Sequence, residues 1–315
     1  MLVSIVIVNR NSMPFVARLM ETLITSCNKV KKCSEIIIVD NASIDKSPRM
    51  FEEYSRKIKR PMIKIIRLKR NYGFCYAVNV GVVSAQSELV AVLNPDLYVD
   101  DDWLVHILKA FEKSPRIGVV QPLIYWYQYP DRVQSKGLYA DLVGNYKDNV
   151  FDAKAILAPF GAAYVVRRDA FIRVGGLDPR YFMYGDELDL GLRMWLAGWM
   201  VVLEPMSKVY HYMGGSTPSL DKFYILKCFL TRRNQMITLL KDFSSRHLFL
   251  SFPLLLLVNV VRGVRSRTDM RCILAAYLSI ARNARFIVTK RLRYSSFKII
   301  NESKLHRWGI LRSLL

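Results

Sequence analysis

Hydrophobic positions in the first hundred residues fall into short runs separated by polar punctuation. Residues 3–8, 35–39, 63–67 and 89–93 are short and dense in Val, Ile and Leu, and each predicts a strand buried on both faces. Between them, 15–26, 50–58 and 76–85 carry apolar residues at helical period. This alternation predicts an α/β fold with a mostly parallel central sheet and helices on both faces. The first run lacks a basic leader and stops at Asn9-Arg10, too short for a secretion signal, and reads as a buried strand.

In such sheets a ligand binds outside the carboxyl ends of the strands. The residues predicted there are Asn9-Arg10-Asn11, Asp40-Asn41-Ala42-Ser43, Asn71-Tyr72-Gly73-Phe74 and Asn94-Pro95-Asp96. No glycine-rich turn follows the first run, so the charge of a diphosphate has to be met in another way, and a divalent cation is one. Asp96 offers the hard oxygen that Mg2+ or Mn2+ takes, although Asn-Pro-Asp is also an ordinary turn sequence.

Two later segments carry chemistry. Asp186-Glu187 opens a stretch whose helical face is Leu188, Leu192, Trp195 and Leu196. Paired acids at a helix start commonly serve as capping and dipole residues. Aromatic surroundings, here Tyr181, Phe182 and Tyr184, would also desolvate a carboxylate and raise its pKa, as suits a general base. Asp189 and Arg193, four apart, read as a structural pair. His211 ends a short strand and precedes Met213-Gly214-Gly215-Ser216, a loop suited to closing on a phosphate, which makes His211 a candidate for metal or diphosphate contact.

Taken together, these segments resemble the family 2 glycosyltransferases, in particular their rhamnosyltransferase-like branch. The resemblance rests on residues 4–11, 38–43 and 71–81, on Leu93-Asn94-Pro95-Asp96, on Gly161-Ala162 with Arg167-Arg168, on Val174-Gly175-Gly176-Leu177-Asp178 and on 182–211, all in the expected order. It implies a GT-A-type nucleotide-diphospho-sugar transferase fold, an inverting single displacement and a divalent cation, Mg2+ or Mn2+. It further implies that Asp40 reads the nucleobase, Asn71 and Gly73 line the ribose side, Asn9 contacts the nucleoside, Asn94 belongs to the nucleotide side, Asp96 binds metal and His211 sits at the diphosphate. The acceptor side is expected around Gly161, Ala162 and Trp195. Two positions depart from the family pattern. Asn94 replaces the first acid of Asp-x-Asp, and the Glu-Asp pair that holds the base is reversed as Asp186-Glu187. Either Glu187, the favoured candidate, serves as base, or the chain shifts to let Asp186 serve.

Composition then separates the chain into two parts. Of 315 residues, 52% are hydrophobic, enough for a substantial core, and the net charge is +21. From residue 222 onward there are 19 Lys and Arg against 3 Asp and Glu, so most of the excess lies in the last third. A catalytic domain at 1–217 and a basic, helical region at 218–315 are expected. Within the latter, 248–261 is a 14-residue apolar run flanked by Arg246, His247, Arg262, Arg265 and Arg267. It is shorter than the roughly 20 residues of a spanning helix and suits either an anionic membrane surface, a re-entrant segment or a buried helical hairpin. No nucleic-acid recognition motif accompanies the charge, so nucleic acid is not an expected partner. Five cysteines without metal-ligand spacing argue for a reducing compartment.

The chain is therefore expected to act in the cytoplasm, peripheral on the inner face of the cell membrane. Its expected donor is a dTDP-, UDP- or GDP-sugar and its acceptor a lipid-linked or cell-surface glycan. A polyprenyl-phosphate glycosyltransferase and an inactive sugar-nucleotide-binding scaffold are the alternatives.

Overall fold

The computed structural model describes residues 1–141, 143–148, 153–214 and 220–311. β1 (Val3–Asn9), β2 (Cys33–Asp40), β3 (Met62–Arg67) and β4 (Leu89–Leu93) form the parallel half of a nine-stranded sheet, in the order β3-β2-β1-β4. Every residue of β1 is buried, which explains why this central strand reads as an unbroken apolar run. Pleating divides it between two cores. Ile5 and Ile7 pack with Leu19 and Leu23 of α1 (Val16–Val30), while Val6 and Val8 pack with Val78 and Val82 of α3 (Phe74–Ser84). α2 (Ser47–Lys57) links β2 to β3. The predicted parallel α/β core is thus present, with element ends moved by a few residues.

The second half of the sheet is mixed. After β5 (Leu97–Val99) and α4 (Trp103–Glu112) come β6 (Ile117–Trp126), β7 (Val133–Ser135), the β8 (Leu138–Ala140) and β9 (Tyr146–Asp148) hairpin, and β10 (Ala163–Arg167). β10 runs antiparallel to both β4 and β6, and β11 (Met200–His211) lies parallel to β6 and antiparallel to β5. This arrangement has a local consequence. The start of β10 meets the carboxyl end of β4, where the Asn94 amide donates to the Ala162 carbonyl at 2.8 Å.

α5 (Arg168–Arg173) and α6 (Asp186–Leu196) follow β10, and α7 (Leu220–Asp242), α8 (Ser245–Arg265), α9 (Arg267–Arg282), α10 (Ala284–Ser295) and α11 (Glu302–Arg307) form the last third. The boundary expected after 217 lies outside the described residues, as do Gly215 and Ser216. The last third is built onto α6. Asp189 pairs with Arg193 and with Lys241 of α7, all at 0% side-chain exposure, and Lys241 also lies 3.5 Å from Asp178. Arg193 donates to the Val174 and Gly176 carbonyls at 2.7 and 2.8 Å. Burial works against the Asp189 charge, but Arg193 and Lys241 outweigh it and hold the carboxyl well below its ordinary range.

The apolar run 248–261 is embedded in α8, whose 21 residues are long and apolar enough to cross a membrane by length and composition. The structure packs one face of it: His247, Ser251, Leu255, Asn259 and Gly263 are buried. Phe249, Leu250, Leu256, Leu257, Val260, Val261 and Val264, between 40% and 81% exposed, form a bare apolar stripe on the other face. A buried hairpin accounts for the first face and leaves the second unexplained.

Candidate active site

Three polar loops meet at the ends of β1, β2 and β3. Asn9 is 0% exposed, and its amide nitrogen donates to Asp40 Oδ1 (2.8 Å), Ser43 Oγ (3.1 Å) and Ser47 Oγ (3.0 Å) while its oxygen accepts from Ser12. As the last residue of the central strand, Asn9 lies beneath the loops, where it orients Asp40. Asn41, to which the sequence assigns no separate role, ties two loops together. Its amide donates to Asn71 Oδ1 (2.9 Å) and the Gly73 carbonyl (3.3 Å), and its oxygen accepts from the Tyr72 amide (3.0 Å). Asn71 in turn accepts from the Gly73 amide at 2.9 Å. Gly73 sits at φ +88°, and a Cβ there would come within 2.6 Å of the Phe182 carbonyl oxygen, so the donor-side loop and the loop before α6 pack backbone to backbone.

The turn after β4 and the end of β11 bring Asp96 and His211 together, 5% and 4% exposed, with His211 Nε2 3.4 Å from Asp96 Oδ1. His211 Nδ1 lies 2.8 Å from Gln134 Oε1 on β7. Gln134 thus holds Nδ1, and Nε2 is the ring nitrogen that faces the carboxylate. A carboxylate oxygen and an imidazole nitrogen, 3.4 Å apart, are a ligand pair of the kind a divalent cation takes, with Gln134 fixing the ring orientation. Among the described residues no cluster of three or more His, Cys, Asp or Glu is placed to hold a metal. A cation at this pair would rely on substrate oxygens for the rest of its shell. Asn94, half-buried, is held to Ala162 by its backbone at the same edge.

Glu187 adjoins the turn before β10. Its Oε1 occupies the space beside Gly161, only 2.0 Å from where a Cβ would stand, which explains a glycine at that position. Phe160, next to Gly161, places its ring 6.1 Å from that of His211, so the pair, the Gly161-Ala162 turn and Glu187 line one region. Glu187 is half-buried and burial raises its pKa, although the backbone amides of Glu187 and Gly185 counteract. Asp186 is 1% exposed and points inward. Its oxygens have no well-formed hydrogen bond, only its own amide and the weak Cys75 thiol nearby, and burial together with the Glu187 charge pushes its pKa well above the ordinary range.

The segment before α6 is strained: Phe182, Tyr184 and Gly185 all have positive φ, at 65°, 69° and 75°. Asn234 of α7, 0% exposed, holds it. Its amide nitrogen lies 3.0, 3.0 and 2.7 Å from the carbonyls of Tyr181, Met183 and Tyr184. No sequence signal marks Asn234, which sits in a polar stretch far along the chain. Trp195 corrects the acceptor-side expectation. It is 4% exposed, its indole donates to the Ile156 carbonyl at 2.9 Å and its ring packs against Trp308. Eight residues along α6 from Glu187, about 12 Å away, it is core and not a sugar platform.

The glycosyl transferase family 2 model matches residues 4–175, more than half of the chain, and the chain belongs to that family. The match ends before Glu187 and His211. The N-acetylglucosaminyl-diphospho-decaprenol L-rhamnosyltransferase of Mycobacterium tuberculosis is 29% identical over 58% of this chain and 67% of its own length. The undecaprenyl-phosphate 4-deoxy-4-formamido-L-arabinose transferase of Proteus mirabilis is 38% identical over 36% of this chain and 34% of its own. The chain therefore spans only part of each relative. Among solved structures, GalNAc-T7 with UDP, GalNAc and Mn2+ superposes with a TM-score of 0.63 at 18% identity, over 78% of this chain and 48% of that one. A Pyrobaculum calidifontis mannosyltransferase with GDP-Man and Mn2+ superposes at 0.58 and 13%, over 98% and 87%. These likenesses establish the fold.

Proposed function

We propose that the chain is a metal-dependent inverting glycosyltransferase. It moves a hexosyl or deoxyhexosyl unit, rhamnosyl by its likeness to the Mycobacterium enzyme, from a dTDP-, UDP- or GDP-sugar to a lipid-linked or cell-surface glycan. What supports this reading is that the Asp96-His211 pair and Glu187 both adjoin the Phe160-Gly161-Ala162 segment.

Asp40, oriented by Asn9, and the Asn41-tied loop bearing Asn71 and Gly73 receive the nucleoside. Asp96 and His211 hold Mg2+ or Mn2+, which when bound would neutralise the charge of the departing diphosphate. Glu187 takes the proton from the acceptor hydroxyl as that oxygen bonds to the anomeric carbon and the bond from that carbon to the phosphate oxygen breaks. A raised pKa makes Glu187 the stronger base, and its reach past Gly161 favours it over the inward Asp186. The bare stripe on α8, with Arg246 and Arg265 at its ends, supports docking on an anionic membrane at the cytoplasmic face.

The test is nucleotide-sugar turnover with and without Mn2+ or Mg2+, in the wild type and in Asp96→Asn. Turnover that requires the cation and is lost in the variant is expected. Metal-independent turnover would overturn the role of Asp96. The Proteus relative favours a second reading, transfer to polyprenyl phosphate itself; sugar-labelled polyprenyl phosphate in membranes would select it. An inactive scaffold would leave Glu187→Gln indistinguishable from the wild type.

A further inference from the structure

Arg232 of α7 and Arg262 of α8 are both half-buried, and Arg262 reaches the face of α7 that carries Arg232, sharing Asn145 Oδ1 with Gln235, one turn on from Arg232. Burial first, and then Arg232, lowers the pKa of Arg262, while Asp141, Asp269 and Cys228 counteract. The Arg232 Nε is buried without a hydrogen-bond partner. Arg262 uses one donor among the described residues, a 3.3 Å contact from Nη1 to Asn145 Oδ1, an oxygen that already accepts from Gln235 at 3.1 Å. Two guanidiniums with so many N–H groups unused form an arrangement that an anion with several oxygens would complete.

The position of the pair says which anion. Asn145 precedes Tyr146, whose ring approaches to 3.6 Å of where a Cβ on Gly185 would stand, at the start of α6 immediately before Asp186-Glu187. The Tyr146 hydroxyl bonds Thr231, the neighbour of Arg232, and feels the Glu187 charge. On its other side, Arg262 adjoins Val261 and Val264, the end of the bare α8 stripe. Arg262 thus belongs to the helix with the apolar membrane-type face and contacts the segment that leads through Tyr146 to the start of α6. We propose that Arg232 and Arg262 form a site for the phosphate or diphosphate that joins lipid to sugar in a lipid-linked acceptor. This deepens the transferase reading and rests on it: the lipid lies along α8, the phosphates meet the arginines and the acceptor sugar reaches past Tyr146 to Glu187.

Binding is measured on the full chain in EDTA, so that the Asp96-His211 pair carries no cation, with farnesyl diphosphate and farnesol as probes. The wild type is expected to hold the diphosphate about tenfold or more tighter than the alcohol. Arg232→Gln and Arg262→Gln lose that preference, their Lys counterparts regain part of it, and Asp96→Asn keeps it. Equal affinity of the wild type for both probes, or an undiminished preference in both Gln variants, overturns the proposal. So does equal weakening of farnesol in the Gln and Lys variants, the mark of a structural role. Phosphatidylglycerol vesicles separate the two sources of phosphate. Arg232→Gln is expected to sediment with them as the wild type does, whereas lost sedimentation with unchanged farnesyl diphosphate binding would assign the arginines to bulk headgroups and overturn the site. No turnover is measured, so this result and that of the metal-dependence test fail independently.

Discussion

The Oε1 of Glu187 stands 2.0 Å from where a Cβ on Gly161 would be, so the carboxylate and the turn before β10 are fitted to each other with no room for a methyl group. Gly161→Ala must therefore displace Glu187. Transfer to acceptor is expected to fall about 100-fold, as for a reacting group misplaced by an ångström. Nucleotide affinity, which the proposal assigns to the Asp40 and Asn71 loops, should stay within about twofold. Full transfer activity in this variant would remove Glu187 from the reaction.

The pH profile is set by the same carboxylate. Burial raises the Glu187 pKa, and a base acts only when unprotonated, so transfer falls as pH drops through that raised value. The acid limb of the rate profile is expected above the ordinary glutamate range. Glu187→Gln should abolish the limb and lower the rate about 100- to 10,000-fold. Asp186, also raised, is buried at 1% exposure; with Glu187 as the proposed base, Asp186→Asn is expected to keep the limb in place of removing it. The reverse pattern would assign the base to Asp186.

Lys241 is the stability test. The Asp189 carboxyl has its pKa lowered in the folded chain, so its contribution is fully present above the unfolded carboxylate range and is lost as pH falls toward the folded value. Lys241→Met leaves Asp189 buried with Arg193 alone. A loss of about 3–5 kcal/mol is expected in denaturant unfolding, as for other broken buried pairs. Because the remaining pair holds Asp189 less firmly, the acid-side loss of stability should also be smaller, and its lower end should lie at higher pH.

The α8 stripe is tested by Leu257→Asp and Val260→Asp. Both side chains are well exposed, at 60% and 57%, so melting temperature should be unchanged. Each substitution removes about 1.5–3 kcal/mol of apolar transfer and should weaken sedimentation with anionic vesicles about tenfold or more. Unchanged sedimentation would leave the stripe without a membrane role.

Much of this was legible in the residues because the parallel half of the fold is local. Continuous Val and Ile runs mark buried strands, and the polar groups at their ends gather along one edge. Asn9 shows the limit of that logic. A strand end and a ligand contact differ by one layer of depth, and only the packing of Ser12, Ser43 and Ser47 around Asn9 shows it to lie below the surface. Trp195 fails for a related reason: helical periodicity locates an apolar face without saying whether sugar or protein covers it. Gln134 and Asn234 act across 77 and about 50 residues of chain, on His211 and on the loop before α6, and no local pattern records such contacts.

Asn234 and Lys241 grip the base-bearing helix and the loop before it from a helix that lies wholly beyond the nucleotide-binding strands. A chain cut after those strands would keep a socket for the activated sugar but lose the brace that aims its proton acceptor. On the proposed function the division of labour is therefore not between a catalytic part and an anchor: recognition of the donor would be encoded early, and competence to transfer completed only when the last third has folded against it.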